Sequence, residues 1–293
     1  MSTLHDQELF VLPAVINSVE DVLRYSRWWK LPFLSGSPLA IKPVDNHTSF
    51  TKALAKAQPT KNDEFYTIYE DVAKAVTLMS DQLKGKRIYC PCDSENSNFV
   101  KYLTDHNYNF IHSSNDFRSA ESTAKLQNCD VVVTNPPFSL LREFLAWIVA
   151  ADKEFLIVSP QTISSNPLCR ELLVSSTIRA LPFTLKSFIT PTGEKAKICN
   201  CMWITNLPYE NTPLTMTASF DADLYPHYDK PFDDIVECKY IKNIPKDYFG
   251  KIGVPATFLM HWNSKQFKIL MCIKPKINSQ WIFQRIVIQR TDQ

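Results

Sequence analysis

The sequence predicts an α/β fold with a doubly wound, largely parallel sheet. Helix-like and strand-like segments alternate between residues 62 and 159, a pattern typical of parallel strands joined by crossover helices. Val131–Val133 form a continuous apolar run within Asp130–Thr134, as expected for a strand buried on both faces of such a sheet. A chain of 293 residues, 45% of them apolar, is long enough to bury a sizeable core.

Each element follows from its local pattern. Residues 62–64 (Asn-Asp-Glu) are typical of a helix N-cap and first turn, and the apolar spacing after them predicts a helix that ends near Gly85. Beyond it we predict strands at Ile88–Cys92, Tyr108–His112, Asp130–Thr134 and Phe155–Ser159, and helices at Asn96–Leu103 and Leu140–Ala150. Open parallel sheets bind ligands beyond the carboxyl ends of their strands, so those ends are the places to search for a site.

Composition divides the chain into three predicted sections. Residues 1–62 form an N-terminal extension of undetermined role, with a helix-like segment at Ser18–Lys30, and residues 63–207 hold the sheet. Residues 208–293 form a basic region: from Lys239 onward there are ten Lys and Arg residues but only two Asp residues, although the net charge of the whole chain is +2. This asymmetry favours a polyanionic partner, and a solvated lysine-rich surface would explain it equally well.

Glycine and cysteine usage narrows the function classes. No pair of the five glycines has GxxxxGK[ST] or GxGxxG spacing, which argues against a P-loop NTPase or a dinucleotide-dependent dehydrogenase. Eight cysteines without a secretory signal pattern suggest a reducing, cytoplasmic compartment. A zinc site made by Cys90, Cys92, Cys199 and Cys201 is a minor alternative, because structural zinc sites more often use C-x₂₋₄-C spacing. We therefore expect no metal and, because the apolar runs are short, no membrane span.

The most specific motif follows the apolar strand. Asn135-Pro136-Pro137-Phe138 comes directly after Thr134. Consecutive prolines lack backbone N–H groups and hold a loop rigid and extended. The Asn135 side-chain oxygen and the Pro136 carbonyl can therefore be fixed as paired acceptors for an exocyclic amine, and the Phe138 ring can stack on a base.

Further segments appear in a characteristic order. They are Asp63–Thr67, Tyr89–Asp93 with Ser97–Phe99, Asp116–Ser119, Val133–Leu140, Trp203–Leu207 and Gly253–Leu259. Together they resemble the EcoRI-type adenine-specific DNA methyltransferase family over about residues 60–290. The resemblance implies a Rossmann-like sheet that binds S-adenosylmethionine, an S-adenosylhomocysteine product, and methyl transfer to adenine N6 by catalytic residues Asn135, Pro136, Pro137 and Phe138.

The resemblance also implies a cofactor site made by Phe65, Tyr66, Thr67, Pro91, Cys92, Asp93, Asp116, Phe117 and Asn135. Phe65–Thr67 are expected at a helix start, where free N–H groups would bind the carboxylate of the methionine moiety. Asp116 is expected to accept a hydrogen bond from the cofactor's adenine amine, with Phe117 packed on the ring. Asp93 takes the place of a glycine-rich turn and is expected to bind the ribose or amino group, with a helix-capping role as the alternative.

DNA contacts are expected from basic residues outside this cofactor site: Arg118, Lys195, Lys197, Lys242, Lys246 and Lys251. Lysines would bind phosphates and make binding salt-sensitive. Arg118 could instead form a surface pair with Glu121. The predicted function is site-specific adenine methylation of double-stranded DNA by base flipping, in restriction-modification or self-protection of DNA in a bacterial or phage-infected cell. A cognate restriction endonuclease is a candidate partner, and a monomer or weak dimer is expected.

Two departures from the family pattern keep alternatives open. The stretch Ser113–Asn115 is short, and no acidic residue follows Ile111-His112 to bind the cofactor ribose. The alternatives are an enzyme that methylates RNA adenine or a protein glutamine, or a DNA-binding scaffold that has lost catalysis. The glutamine enzymes usually end the motif in Tyr, whereas Phe138 ends it here.

Overall fold

The computed structural model describes residues 65–190, 192–197 and 200–291, so the predicted helix Ser18–Lys30 and the N-cap at residues 62–64 lie outside the described residues. The central sheet has six strands: β2 (Ile88–Cys90), β3 (Phe110–His112), β4 (Val131–Thr134), β5 (Glu154–Pro160), β6 (Arg179–Leu185) and β9 (Cys201–Thr205). Their order is β3-β2-β4-β5-β9-β6. The first four run parallel, and β9 is antiparallel to both of its neighbours.

In the described part of the chain, six α-helices accompany this sheet: α1 (Tyr69–Leu78), α2 (Ser80–Leu83), α3 (Asn98–Asp105), α4 (Ala120–Gln127), α5 (Leu141–Ala150) and α6 (Pro167–Val174). Their ends follow local chemistry. The Ser97 hydroxyl accepts from the Val100 amide and caps α3, and Gly85 takes a left-handed φ of +79° soon after α2. In the part of the chain that the structure describes, no helix is long and apolar enough to cross a membrane.

Alternate residues of each central strand point to opposite faces of the sheet. Ile88, Val131 and Leu156 pack with α1, α2 and α3 in one apolar cluster. Tyr89 and Val132 pack with α5 and α6 in another. The predicted Rossmann-like α/β class is thus confirmed. The strand predicted over Ile88–Cys92 ends at Cys90, because Pro91 has no N–H to donate to the ladder.

A second sheet is formed near the C-terminus by β10 (Ile235–Glu237), β11 (Lys251–Pro255), β12 (Phe267–Ile273) and β15 (Arg285–Arg290), in the order β10-β11-β15-β12. The short strands β13 (Lys276–Ile277) and β14 (Gln280–Trp281) form a hairpin beside it. Ile252, Ile269 and Ile288 of this sheet join the apolar cluster that covers one face of the central sheet. The division at residues 207 and 208 stays a prediction.

A third, small sheet contains β1 (Tyr66–Thr67), β7 (Phe188–Ile189) and β8 (Lys195–Ala196), in the order β1-β7-β8. The prediction that Phe65–Thr67 start a helix is therefore wrong. Tyr66 and Thr67 pair antiparallel with β7, and helix α1 begins only at Tyr69. Their backbone is held by a partner more than one hundred residues away, so free N–H groups of a helix start are not available there.

Candidate active site

The site lies where the direction of strand addition reverses. After β2 the chain adds β3 on one side, then returns past β2 to add β4 on the other. Such a switch point opens a crevice beyond the carboxyl ends of the strands. A cavity of about 310 Å³ occupies this position, at the lower end of the size range of small-molecule sites. The predicted residues that line it are Phe65, Tyr66, Thr67, Cys92, Asp93, Asp116, Phe117, Asn135 and Pro137.

Asn135 is fixed by a single long-range hydrogen bond. It directly follows β4, and its Nδ2 donates to the backbone carbonyl of Phe65 at 2.7 Å. Since the amide nitrogen is committed to that carbonyl, the amide oxygen Oδ1 remains as an acceptor. This oxygen is buried and has no hydrogen-bond partner. An unpaired buried acceptor costs free energy, so an unpaired one in a cavity wall indicates a ligand donor.

Thr67 of β1 repeats this arrangement elsewhere in the cavity wall. Its side chain is buried, and Oγ1 has no hydrogen-bond partner. Its backbone carbonyl accepts from Asn98 Nδ2 at 2.8 Å, which ties β1 to the start of α3. The two unpartnered atoms, Thr67 Oγ1 and Asn135 Oδ1, therefore stand on rigidly held segments of the same cavity.

Asp93 follows β2 and is a buried residue of the cavity wall. Its Oδ2 accepts from Thr134 Oγ1 at 2.6 Å, and its backbone N–H donates to the Ser113 carbonyl at 3.0 Å. Burial raises the pKa of Asp93 to about 6, although hydrogen bonds from Thr134 and Ser97 favour the carboxylate. The cap of α3 is Ser97, so the helix-capping alternative for Asp93 is wrong.

Asp116 lies at the rim and is held by Arg118. Arg118 Nε donates to both carboxylate oxygens at 2.9 and 3.0 Å, and Arg118 Nη2 donates to Oδ2 at 2.6 Å. These bonds lower the pKa of Asp116 below its ordinary range, so the rim keeps an ionised acceptor. The suggested Arg118–Glu121 surface pair is wrong, because Glu121 binds Lys125 instead. Phe117 is buried against Phe144 and Trp147 beneath the rim.

The charge of the cavity selects its ligand class. Among the described residues that line it there are two carboxylates, Asp93 and Asp116, but no Lys, Arg or His. Such a wall suits a cationic or amine-bearing ligand and disfavours phosphates. The thiols of Cys90 and Cys92 have pKa values raised well above the ordinary range by burial and by Asp93, so they stay neutral. Within the described ranges no cluster of three metal-ligating side chains occurs, and Cys199 lies outside them.

A family model described as adenine-specific methyltransferase EcoRI matches residues 53–113, 103–166 and 181–291. These segments contain every residue of the cavity wall and most of the chain. The chain belongs to this family. It is a site-specific DNA methyltransferase of the restriction-modification type.

Individual relatives agree with this assignment. The Type II methyltransferase M.EcoRI of Escherichia coli is 30% identical over 315 residues, covering 81% of this chain and 96% of that protein. The Type II methyltransferase M.MpnI of Mycoplasma pneumoniae is 28% identical over 273 residues, covering 74% and 85%. Among solved structures, a putative RNA methyltransferase from Pyrococcus horikoshii is 13% identical over 54% of this chain and 94% of its own, with a TM-score of 0.34. So loose a likeness supports no argument about the site.

Three predicted residues of the methyltransferase motif regions do not line the cavity. Pro91 and Pro136 are buried. Phe138 begins a short 3₁₀ turn, Phe138–Leu140, and its ring meets Phe188 of β7 edge-on at 6.2 Å. The three residues thus belong to the framework around the cavity, and their contacts with a ligand remain predictions.

The predicted DNA-binding residues fall into three groups, none of which lines the cavity. Arg118 is committed to Asp116 at the rim. Lys195 and Lys197 are exposed on the β7–β8 hairpin, which is paired through β7 to the cavity strand β1. Lys242 and Lys246 are exposed on the C-terminal region, whereas Lys251 binds Asp234 at 2.5 Å.

Sequence reasoning gave no role to several residues of the cavity wall: Ser94, Ser97, Asn98, Phe99, Ser114, Asn115 and Leu140. Ser114 and Asn115 stand where the sequence offers no acidic residue after β3. Ser113, the residue before them, is held beside β2, because its amide donates to the Cys90 carbonyl and its carbonyl accepts from the Asp93 amide. The signal that could have found them is their place at the carboxyl end of β3, beside β2.

Proposed function

We propose that this methyltransferase transfers the methyl group of S-adenosylmethionine to N6 of an adenine that is extruded from a specific duplex sequence. The observation that carries the proposal is the fixed, unpartnered Asn135 Oδ1 at the carboxyl end of β4. It belongs to Asn135-Pro136-Pro137-Phe138, which supplies acceptors on a loop that cannot donate at its prolines. An exocyclic amine has the matching N–H donors.

The cavity wall fits the methyl donor. S-adenosylmethionine would supply an electrophilic methyl group on a positively charged sulfur when bound there, leaving S-adenosylhomocysteine after transfer. Asp93 provides a buried carboxylate and Asp116, paired with Arg118, a second acceptor at the rim for its amines and hydroxyls, and Phe117 and Phe65 provide apolar surface. Thr67 Oγ1 is a free hydrogen-bonding group for its amino-acid portion or ribose. With no basic side chain in the described wall, the site disfavours a phosphate-bearing cofactor.

Asn135 and the Pro136 carbonyl would accept hydrogen bonds from the target N6. Accepting both N–H bonds draws electron density toward the nitrogen and frees its lone pair for attack on the methyl carbon. One N6 proton would pass to solvent water after the attack, so no base is required beforehand. Catalysis is then alignment and electrostatics on a preformed wall. Phe138, braced by Phe188, would stack on the base.

Base extrusion follows from access. The N6 group of a paired and stacked adenine cannot approach a recessed cavity, so the base must leave the helix. Duplex DNA is the partner on which Type II methyltransferases act, and its phosphates would be bound by exposed lysines such as Lys195 and Lys197 on the hairpin next to β1. The biological role that fits a methyltransferase of this type is protection of DNA. The DNA would be protected from a cognate restriction endonuclease, or it would be the cell's or a phage's own DNA marked as self.

The test is methyl transfer to unmethylated duplex DNA with radiolabelled S-adenosylmethionine, followed by nucleoside analysis and mapping of the modified site. We expect label in N6-methyladenine. Asn135→Ala should lower the transfer rate at least 100-fold, since removal of a preorganised hydrogen-bonding group from a transition state costs about 2.7–4 kcal/mol.

The matched control is Asn128→Ala, which removes an amide at the exposed end of α4, outside the cavity. Urea unfolding of each variant shows whether the fold survives. Label in RNA or in protein glutamine but not in DNA would overturn the proposal. DNA binding without any transfer would indicate a scaffold that has lost catalysis.

A further inference from the structure

A rigid hairpin stands beside the C-terminal sheet. Its strands β13 and β14 place Lys276 opposite Trp281. The turn residues Asn278 and Ser279 have φ angles of 50° and 66°, as in the two-residue turns that close tight hairpins. Asp229 accepts from both turn amides, at 3.1 and 2.7 Å. The carboxylate thus fixes the tip.

The segment that follows the hairpin is held equally firmly. Gln284 Nε2 donates to the backbone carbonyl of Ser164 at 2.5 Å. Arg285 Nη1 donates to the carbonyls of Phe283 and Gln284 at 3.2 and 3.3 Å. Arg285 is itself buried in an ion pair with Glu237. The backbone around Phe283 is therefore fixed.

Phe283 is nevertheless bare. It is 87% exposed, the highest value among the large apolar side chains of the described residues, and Trp281 is 63% exposed. Lys276 Nζ lies 4.5 Å and Lys274 Nζ 5.7 Å from the centre of the Trp281 ring. A large aromatic side chain on a fixed backbone has little ordering entropy left to lose, so it is well prepared to be buried by a partner.

The segment after the hairpin is anchored on the catalytic edge of the molecule. Ser164 belongs to the 3₁₀ turn Gln161–Ser165, which directly follows β5. Strand β5 is parallel and adjacent to β4, which Asn135 follows. The turn and Asn135 therefore lie beyond the same edge of the sheet. The stretch from Lys274 to Arg285 contains no acidic residue, and its lysines complement DNA phosphates.

We propose that this hairpin and the segment after it form a DNA-contacting wedge, in which Phe283 inserts against the base stack beside the target and Lys274 and Lys276 bind phosphates. Apolar side chains that insert between base steps unstack them and lower the cost of distorting the duplex. Trp281 supports the two lysines over its ring. The proposal rests on the base extrusion proposed above and assigns the residue that assists it.

The test compares Phe283→Ala, Phe283→Leu and native protein in single-turnover methyl transfer. The substrates are a duplex carrying the site mapped with native protein and the same duplex with an abasic position opposite the target adenine. We expect Phe283→Ala to slow transfer on the intact duplex on the order of 10-fold or more, the size expected when a base loses its aromatic stacking partner. In the abasic substrate the target adenine is already unpaired, so Phe283→Ala should recover most of the native rate there. Phe283→Leu should keep the native rate on both substrates.

The matched control is Leu224→Ala, which removes another highly exposed apolar side chain of the C-terminal region and should change neither rate. Equal losses on both substrates, or no loss, would overturn the wedge. For the lysines, Lys274→Gln with Lys276→Gln should reduce the slope of log affinity against log salt by about 0.9 for each phosphate that the protein no longer neutralises. An unchanged slope would contradict their role.

Two further outcomes are distinguishable. The molar mass of native protein and of Phe283→Ala in solution can be compared by light scattering. If native protein is a dimer and Phe283→Ala a monomer, while methyl transfer is unaffected, then the surface joins two copies of this chain and the wedge is wrong. If native protein transfers no methyl group to DNA, the proposed function fails. Fluorescence anisotropy with labelled duplex then still measures the wedge, which is wrong if Phe283→Ala binds as tightly as native protein.

Discussion

In the cavity beyond β2 and β4, Thr67 Oγ1 and Asn135 Oδ1 are buried without hydrogen-bond partners, whereas the buried polar groups of the C-terminal sheet bind one another. Of the buried side-chain nitrogen and oxygen atoms without a partner in the described chain, none belongs to residues 208–291. The two regions share one apolar cluster, so burial alone does not explain the difference.

The C-terminal sheet contains a closed polar network. Arg285 Nε and Nη2 donate to Glu237 at 2.7–3.0 Å, and Tyr228 Oη donates to Glu237 Oε2 at 2.5 Å. Gly253 leaves the space for the Tyr228 ring, since a Cβ there would lie 1.9 Å from the Tyr228 hydroxyl. All charges of the network are paired, as expected of a group that stabilises a structure.

The contrast separates two uses of buried polar groups. In the network every donor meets an acceptor, and the outcome is a rigid base for β15 and for Phe283 beside it. In the cavity, Asn135 and Thr67 are each held by a hydrogen bond of another atom, Asn135 Nδ2 and the Thr67 carbonyl. Their unpartnered oxygens are therefore left for a ligand to bind. Substitutions should therefore affect stability in one region and ligand affinity in the other.

The largest expected effect is on the network. Arg285→Met leaves the Glu237 carboxylate buried without its cation, which typically costs about 3–5 kcal/mol of unfolding free energy. Urea unfolding measures it. The double variant Arg285→Met with Glu237→Gln should recover part of the loss, because no buried charge then remains unpaired.

The matched control is Lys251→Met, which breaks the Lys251–Asp234 pair at the surface and should cost less than about 1 kcal/mol. If Arg285→Met and Lys251→Met destabilise the protein equally, the network does not support the sheet as described.

An intermediate effect is expected from Asp93, whose pKa is raised from 3.8 to about 6 by burial. Its contribution to folding is full below pH 3.8 and is lost as the pH rises through about 6, because the buried carboxylate must then ionise. Asp93→Asn should therefore gain stability relative to native protein between pH 4 and pH 8, by roughly 1–3 kcal/mol. Urea unfolding at a series of pH values measures the gap.

Asp81→Asn, at an exposed position on α2, is the matched control for this series. Cofactor affinity should change in the opposite sense: native protein should bind S-adenosylmethionine more tightly as Asp93 ionises near pH 6, and Asp93→Asn should lose that rise. A pH-independent stability gap would show that Asp93 is not a strained buried acid.

The parts of the molecule that sequence can predict are those defined by nearby residues. The strand at Val131–Thr134, Asp93 after β2 and the motif starting at Asn135 combine local periodicity with strand-end chemistry, and the structure brings Asp93, Asn135 and Pro137 to one cavity. The family resemblance likewise depends on short ordered segments, and it is confirmed.

The parts that sequence does not predict depend on distant partners. Tyr66 and Thr67 have the pattern of a helix start but pair with Phe188 and Ile189, because backbone pairing across such a separation leaves no local signature. Asn98 meets Thr67 for the same reason. The Arg118–Asp116 pair is local, but Glu121 is also close to Arg118 in the sequence. Only the three-dimensional structure shows which carboxylate Arg118 binds. The C-terminal sheet, with its register set across the chain, was predicted only as a basic region.

The claim that the unpartnered atoms of the cavity are ligand contacts is tested most directly by calorimetric titration of S-adenosylmethionine into native protein and Thr67→Val. We expect saturable binding of one molecule per chain to native protein. Thr67→Val keeps the shape of the side chain and removes only the free hydroxyl. Affinity should fall roughly 5- to 100-fold, as for a lost hydrogen bond to a charged group, with no loss of unfolding free energy.

Thr104→Val is the matched control, because the Thr104 hydroxyl already donates to the Val100 carbonyl at 2.8 Å on α3, and it should leave cofactor affinity unchanged. Binding of equal strength to native protein and Thr67→Val, or no binding to native protein, would contradict the claim.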